Sequence, residues 1–403
     1  MKTLMILSVV PDGRLEMCIR EAAALSYRCV FCGPEADERV RQMADRCCEV
    51  DWNDTETLIR IAREEKIDGV VGVCDPVMIP ASRVALALGL PGNTTESMEV
   101  LLTRDRFRSL QEREGLFCPR HAIFRSLEEI GDTLESFRFP IIVKPLLSSS
   151  SFGQSVLETG NGLEEAFETA SRMSRNGAVC IEEYITPRSL CMVEADVFLM
   201  GDEIYWEGLR DSWRIESAPL RPLYDLYPSS LTEEETEIVR RDIARALKAA
   251  GVRIGYYDIE GFFTREGQFF IVEINPRQSG YYNPQHLELY SGVNLTRLLV
   301  STAVGDMAYC ESLKGFRRTR KNILSYSVFS RKDGYLDYVY IEPELLTHLK
   351  SFDSLYRLKR GDHVKDNLTA KWPVGQAAFE FDTREEMEEA REHLEDDIRV
   401  ILL

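Results

Sequence analysis

Apolar and polar positions in the first hundred residues alternate in short blocks. Residues 4–10 form an apolar run of strand length, and residues 15–26 follow with helical spacing after a turn at Pro11, Asp12 and Gly13. The rhythm repeats: strands at 28–32, 47–50 and 67–73, helices at 35–44, from Asp54 or Thr55 to 66, and at 79–88. This βαβαβ order predicts an open parallel sheet with right-handed crossovers, whose ligands bind at the carboxyl ends of the strands. The loop after Val10 and Asp75 occupy such ends. Asp75 therefore either contacts a substrate or caps the next helix. No G-x-G-x-x-G follows the first strand, so a dinucleotide fingerprint is absent.

Farther on the pattern turns to hairpins. Residues 103–111 read as a charged helix. Strands are predicted at 139–145, 179–184 and 192–200, the last turning through Gly201 and Asp202 into 203–208. Residues 210–227 are rich in Arg, Trp, Tyr and Pro and too irregular for a helix, which reads as a loop. Residues 232–251 are strongly amphipathic. Residues 256–264 and 269–274 form an apolar, aromatic hairpin, and a further helix starts near 292–300. Beyond a basic, linker-like patch at 314–321, strands at 322–329, 335–341, 374–381 and 398–402 and a helix at 383–394 make a small α+β module.

Length allows two or three domains with their own cores: the chain has 403 residues, 44% of them hydrophobic. A net charge of −18 argues against a nucleic-acid partner, although a local basic site for phosphate is compatible with it. The apolar N-terminal run is too short to span a membrane, and no later run is long enough. Of the ten cysteines, Cys29 and Cys32 form a lone C-x-x-C inside a strand, with no second pair to complete a zinc site. Buried reduced thiols and a cytoplasmic location fit this usage.

The hairpin at 256–274 carries the first candidate chemistry. With a tight turn centred on Glu266 and Gly267, Glu260 lies opposite Glu273, and Asn275 shares their face. Two opposed carboxylates repel and are costly to desolvate, and a hard divalent cation, Mg²⁺ or Mn²⁺, reverses that cost. Arg277 could then hold an anion beside the metal. The alternative is an ordinary hairpin with solvated ends and a surface ion pair. Lys144, within the run FPIIVKP, needs an anion unless it snorkels. The serine-rich loop at 146–155 that follows, LLSSSSFGQS, offers many donors to phosphates, or is simply a polar loop. The strand end from Glu182 to Ile185 can offer an adenine ring one donor and one acceptor. Around them, the arginines of 210–227 suit a carboxylate and Trp213 an apolar body, while Tyr281, Asn283 and His286 could line an acceptor pocket, His286 being otherwise a structural histidine.

In order, TRDRF, FPIIVKP, SSSSFG, IEEYI, IEGFF and VEINPR resemble the ATP-grasp superfamily over about residues 1–310. Within it the chain looks most like carboxylate–amine ligases related to L-amino-acid ligases, and more distantly like carbamoyl phosphate synthetase and biotin carboxylase. The resemblance implies a mixed α/β and α+β fold. A pre-ATP-grasp open parallel α/β domain would span 1–103, an ATP-grasp core of two α+β subdomains 104–310, and a small lid-like α+β domain 311–403. It implies ATP and two Mg²⁺ (or Mn²⁺) ions as cofactors. Lys144 and Arg106 would meet phosphates, and Ser149, Ser150, Ser151, Phe152 and Gly153 would close over them. Glu182 would accept from the adenine amino group, while Glu183, Tyr184 and Ile185 form the hinge. Glu194 would meet the ribose. Glu260, Glu273 and Asn275 would carry the metal, and Arg277 would steady the transferred phosphoryl group. Asp75, Arg210, Trp213, Arg214, Gln278 and Tyr281 would border the substrates, a small carboxylate and an amine. The implied reaction forms an acyl phosphate and ADP, after which the amine displaces phosphate. Alternatives are a bicarbonate-activating carboxylase and an ATP-binding sensor without turnover. Homodimers are common in that family.

Overall fold

The computed structural model describes residues 1–10, 12–147, 153–216, 218–354, 358–366 and 373–403. Among these, β1 (Thr3–Leu7), β2 (Arg28–Gly33), β3 (Arg46–Glu49) and β4 (Gly69–Gly72) form a parallel sheet in the order β3-β2-β1-β4. Helices α1 (Gly13–Ala24), α2 (Glu38–Met43), α3 (Thr55–Glu64) and α4 (Asp75–Leu88) connect and follow the strands, and α5 (Thr95–Leu102) and α6 (Arg104–Arg113) lead onward. Asp12 starts α1 by accepting from the backbone N–H groups of Arg14 and Leu15, and Asp54 starts α3 in the same way through Thr57.

A second sheet is built from β5 (His121–Phe124), β6 (Ile141–Pro145), β7 (Ser155–Leu157) and β8 (Val179–Glu183), in the order β5-β8-β6-β7, with α7 (Leu163–Met173) packed on it. The chain then enters a long antiparallel sheet through β9 (Cys191–Met200), β10 (Glu203–Ile215) and β11 (Ala218–Tyr227). Helix α8 (Glu233–Ala249), opened by a capping box between Thr232 and Glu235, leads to the hairpin β12 (Ile254–Phe263) and β13 (Phe269–Asn275). Helices α9 (Asn283–Ser291), α10 (Leu295–Ala303) and α11 (Ala308–Ser312) follow, then β14 (Asn322–Val328), β15 (Gly334–Ile341), α12 (Pro343–Leu346), β16 (Leu349–Asp353), β17 (His363–Val364), β18 (Gly375–Phe381), α13 (Arg384–Asp397) and β19 (Ile398–Leu402).

The long sheet has the order β13-β12-β9-β10-β11-β14-β18-β16. The C-terminal segment therefore continues it directly, with Tyr224 opposite Tyr326 and Leu226 opposite Leu324. Only β17-β15-β19 stand apart as a small sheet among the described residues. The first sheet is closed on one side by α10: Leu4, Ile6, Phe31 and Val71 share a core with Val300, Ala303 and Val304. Gly69 permits this contact, since a Cβ there would lie 2.2 Å from the Ala303 carbonyl oxygen. The boundaries expected at 103 and 310 thus fall where packing and strand pairing run across.

Residues 210–215 and 218–227 correct the sequence reading. They are not a loop but most of the β10–β11 hairpin at the centre of the sheet, with Asp211 opposite Leu226 and Ser212 opposite Asp225. Alternation was present, but Arg210, Ser212 and Arg214 occupy the positions that usually carry apolar side chains, so the strand signal was hidden.

Candidate functional site

The two faces of the long sheet differ sharply. On one, Val193, Ala195, Val197, Ile259 and Ile271 pack under Val239, Ile243 and Leu247 of α8. The other carries rows of ionisable side chains. Glu273, Glu260, Glu194 and Arg210 stand side by side on β13, β12, β9 and β10. In the next row Asn275 faces Asp258, and Asp258 faces Asp196. The expected pairing of Glu260 with Glu273 is present, and Asn275 follows on their face. The register then slips: Gly261 pairs with Ile271, leaving Val272 as a bulge beside Glu273.

Electrostatics explain what these rows lack. Burial pushes the Glu260 carboxyl well above the ordinary range, and the carboxylates of Glu273 and Glu194 push it further. Arg214 offsets this only in part, with its guanidinium 2.7 Å from Glu194 Oε1 and 3.5 Å from Glu260 Oε2. Glu194 itself is buried, yet its pairs with Arg210 and Arg214 outweigh burial and hold its carboxyl below the ordinary range. Both its oxygens are thereby engaged, whereas a ribose contact was expected of it. Glu260, Glu273 and Asn275 form an oxygen-only donor set with an uncompensated negative charge, and so fit a hard divalent cation.

Arg277 lies next to this set and is clamped from two sides. Its Nε donates to Asp75 Oδ1 at 3.0 Å, and one terminal nitrogen donates to Asp258 Oδ2 at 2.5 Å. Asp75 thus meets Arg277 from the first residue of α4; Cys74 is the N-cap residue there, and it makes no side-chain cap. Asp258 lies two residues before Glu260 on the same face, where period-two spacing could have located it.

Across from this floor, Lys144 on β6 donates to Glu182 Oε2 on β8 at 2.6 Å. Arg108 of α6 meets the same carboxylate at 3.1 and 3.4 Å. Burial alone would raise the Glu182 pKa, but Arg108 and Lys144 together hold it well below the carboxylate range. Burial pulls the Lys144 ammonium below its usual value, against the attraction of Glu182. The carboxyl expected to read adenine is therefore saturated by cations. Next to it in the hinge, the backbone N–H groups of Glu183 and Tyr184 donate to Arg120 and Pro140, at 2.9 and 2.8 Å. Ile185 follows the end of β8.

Arg106 turns away from the cleft. It is half exposed and pairs with Glu99 at 2.7 Å. Helical phase is the reason: residues four apart share a face and residues two apart do not. Arg104 and Arg108 therefore face the site together. Arg104 donates to the Leu146 carbonyl at 3.4 Å and lies 4.0 Å from Glu273 Oε2. Arg108 also donates to the bulge carbonyl of Val272 at 3.0 Å, and Gln111 to that of Ile271 at 2.9 Å. The sequence reading missed Arg104, Arg108 and Gln111, although their spacing of four and three was visible.

Three residues expected to border substrates have other roles. Arg210 is sealed within the sheet among Glu194, Asp196, Asp225 and Asp258. Trp213 points to the opposite face, stacked on Tyr224 with the Arg391 guanidinium 5.7 Å from its ring. Gln278 is buried and ties the Arg14 carbonyl, at 2.8 Å, to the Thr296 hydroxyl, at 2.9 Å. Tyr281 is half-buried with φ 54°, and His286 is buried with Nδ1 2.9 Å from the Ser325 hydroxyl. Ser149, Ser150, Ser151 and Phe152 lie outside the described residues; Gly153 follows with φ 74°. Cys29 and Cys32 are buried on opposite faces of the parallel sheet, so they cannot share an ion. No helix among the described residues is long and apolar enough to cross a membrane.

Residues 116–280 match the family model of the D-ala D-ala ligase C-terminus. This stretch is an ATP-grasp domain. It holds Lys144, Glu182, Glu260, Glu273, Asn275 and Arg277, and Arg104 and Arg108 reach it from outside. The carbamoyl phosphate synthase large chain of Thermotoga neapolitana is 27% identical over 230 residues, 56% of this chain and 20% of that relative. The chain thus spans only a fifth of that relative's length. The crystal structure of an L-amino acid ligase from Bacillus licheniformis has a TM-score of 0.85 at 18% identity, covering 100% of this chain and 99% of that one. The biotin carboxylase domain of Hydrogenobacter thermophilus 2-oxoglutarate carboxylase, a dimer with MgADP, ADP and bicarbonate, has a TM-score of 0.75 at 16% identity, covering 99% and 90%. The mixed α/β architecture, from the parallel sheet to the C-terminal strands, is that of these full-length neighbours.

Proposed function

We propose that the protein is an ATP-dependent ligase that joins a small carboxylate to an amine. The observation that carries this reading is the Glu260–Glu273 pair with Asn275, flanked by the doubly held Arg277 and joined to the Lys144–Glu182 pair through Arg108, which contacts both Glu182 and the Val272 carbonyl. Glu260, Glu273 and Asn275 would hold divalent ions, two by this reading, which neutralise charge on the triphosphate. Lys144 and Arg104 supply positive charge for the nucleotide phosphates, and the backbone at Glu183 to Ile185 provides an edge for the base.

In the first step a carboxylate oxygen forms a bond to the γ-phosphorus as its bond to the β-γ bridging oxygen breaks, and ADP leaves. In the second, the amine nitrogen bonds to the acyl carbon, phosphate departs with the C–O electron pair, and the nitrogen loses a proton. Arg277 would stabilise charge on the transferring group. No side-chain nucleophile is needed, and positioning supplies most of the rate.

Phosphate release from Mg-ATP, measured across a panel of small carboxylates with and without amines, tests the reading. Release should require a carboxylate, and hydroxylamine should trap it as a hydroxamate. Glu273→Ala should abolish release. Release that needs bicarbonate but no amine would replace the ligase by a carboxylating enzyme. Tight ATP binding without release would replace it by a nucleotide sensor.

A further inference from the structure

Glu112, Cys118 and His121 converge between the end of α6 and the start of β5. One carboxylate oxygen, the thiol sulfur and one ring nitrogen all lie within 4.8 Å of one another. They are brought together by a short linker. Glu112 is in the last turn of α6, the chain reverses at Gly115 with φ 61°, and His121 is the first residue of β5. Both ends of the linker are anchored: Leu116 N–H donates to the Gln111 carbonyl at 2.9 Å, and Glu183 N–H to the Arg120 carbonyl at 2.9 Å. Approach of the three ligands therefore needs no rearrangement of the backbone.

We propose that Glu112, Cys118 and His121 bind a borderline-soft divalent ion such as Zn²⁺, with one coordination position left for water. A thiolate, an imidazole and a carboxylate are the donor types of three-ligand zinc sites, and the sulfur and nitrogen donors discriminate against Mg²⁺. This separates the site from the oxygen-only set at Glu260 and Glu273. His121 Nδ1 lies 3.3 Å from the Pro119 carbonyl and 3.8 Å from Glu112 Oε1, so the ring is already oriented toward the carboxylate. The Cys118 sulfur lies 3.6 Å from the Arg108 carbonyl and 3.5 Å from that of Pro119, contacts that a thiol makes as donor. On binding, the sulfur–metal bond forms and the thiol proton passes to solvent.

The site joins the helix that carries Arg104 and Arg108 to the strand opposite β8, where His121 pairs with Glu182. A bound ion would therefore staple the two halves of the nucleotide cleft at their outer edge.

Titration of the full-length protein with Co²⁺ tests this. The wild type should give visible bands and a thiolate-to-cobalt absorption, displaced by Zn²⁺ but not by Mg²⁺. Cys118→Ser should lose the thiolate absorption, and His121→Ala should lose or weaken it. Zn²⁺ should also slow amide hydrogen exchange across residues 115–120 in the wild type and not in Cys118→Ser. Absence of a thiolate band in the wild type, or a band that persists unchanged in Cys118→Ser, overturns the proposal. Cys118 and His121 are both partly buried, and the circular dichroism and melting temperature of the variants will show whether the fold is intact.

Discussion

Asp75 and Arg277 are 202 residues apart in the chain, yet the arginine Nε donates to the aspartate at 3.0 Å. One partner begins α4 beside the parallel sheet; the other follows the β12–β13 hairpin. Asp258 holds the opposite side of the same guanidinium. The planar fork is thereby fixed in rotation from α4 and from β12 at once. Seating of α4 is therefore part of how the arginine is aimed.

Asp75→Asn should expose that dependence. Losing a charge-assisted bond to a buried guanidinium is worth about 1.5–3 kcal/mol. If that placement is needed mainly as charge transfers, turnover should fall roughly 10- to 100-fold. ATP affinity, measured by nucleotide titration, should change little, because Lys144 and Glu182 are untouched. An equal loss in ATP affinity and turnover would show that Asp75 acts on binding.

Arg108→Met should be costly for stability. The guanidinium serves the Glu182 carboxylate and the Val272 bulge carbonyl together. Removing one partner of a buried charge cluster typically costs about 3–5 kcal/mol, because the remaining groups stay buried. A large drop in melting temperature is expected, since Glu182 would keep only Lys144 as its cation. Arg108→Lys should recover part of the loss. A melting temperature equal to wild type in Arg108→Met would show that α6 does not link the two sheets.

How far the sequence revealed this architecture follows from where burial is apolar. The parallel strands read correctly because Leu4 to Leu7 and Val30 to Cys32 are buried on both faces by apolar neighbours. The β10–β11 hairpin did not, because its inward positions carry Arg210, Ser212 and Arg214, whose partners lie on other strands and have no local signature. The hairpin and its two carboxylates were legible, but the direct pairing of Glu260 with Glu273 depends on the bulge, because next to the turn Phe263 pairs with Phe269 and Gly261 with Ile271, one residue off the expected register. The bulge at Val272 was not legible, since nothing in the hairpin's own residues marks it; its carbonyl is satisfied from α6. Arg106 was chosen over Arg104 because a motif string does not show helical phase.

His286 makes stability depend on pH in a defined direction. Burial, aided by the nearby Arg210 charge, pushes its pKa down from 6.5 to about 3. Between those values the unfolded chain binds the proton and the folded chain does not. Stability from this group is complete above pH 6.5 and is lost as pH falls toward 3. The slope approaches about 1.4 kcal/mol per pH unit. His286→Gln, which cannot take up the proton, should be less stable at pH 7 yet lose less on acidification. Denaturant unfolding of both proteins between pH 7 and pH 4 measures the difference, and identical slopes would place the histidine outside the linkage.

Arg104 and Arg106 separate helical phase from motif position. Arg104 lies between the Leu146 carbonyl and Glu273, at the mouth of the cleft that holds Lys144. Arg106 spends its charge on an exposed pair with Glu99, a kind of contact worth less than about 1 kcal/mol. Arg104→Ala should therefore weaken ATP binding roughly tenfold, the effect of one lost charge-assisted contact. It should also lower the salt dependence of binding, since one phosphate-facing charge is gone. Arg106→Ala should leave nucleotide affinity within about twofold of wild type and shift stability only slightly. The reverse pattern would mean that α6 rotates when nucleotide enters, bringing Arg106 into the cleft and breaking the Arg108–Glu182 pair that now fixes the helix.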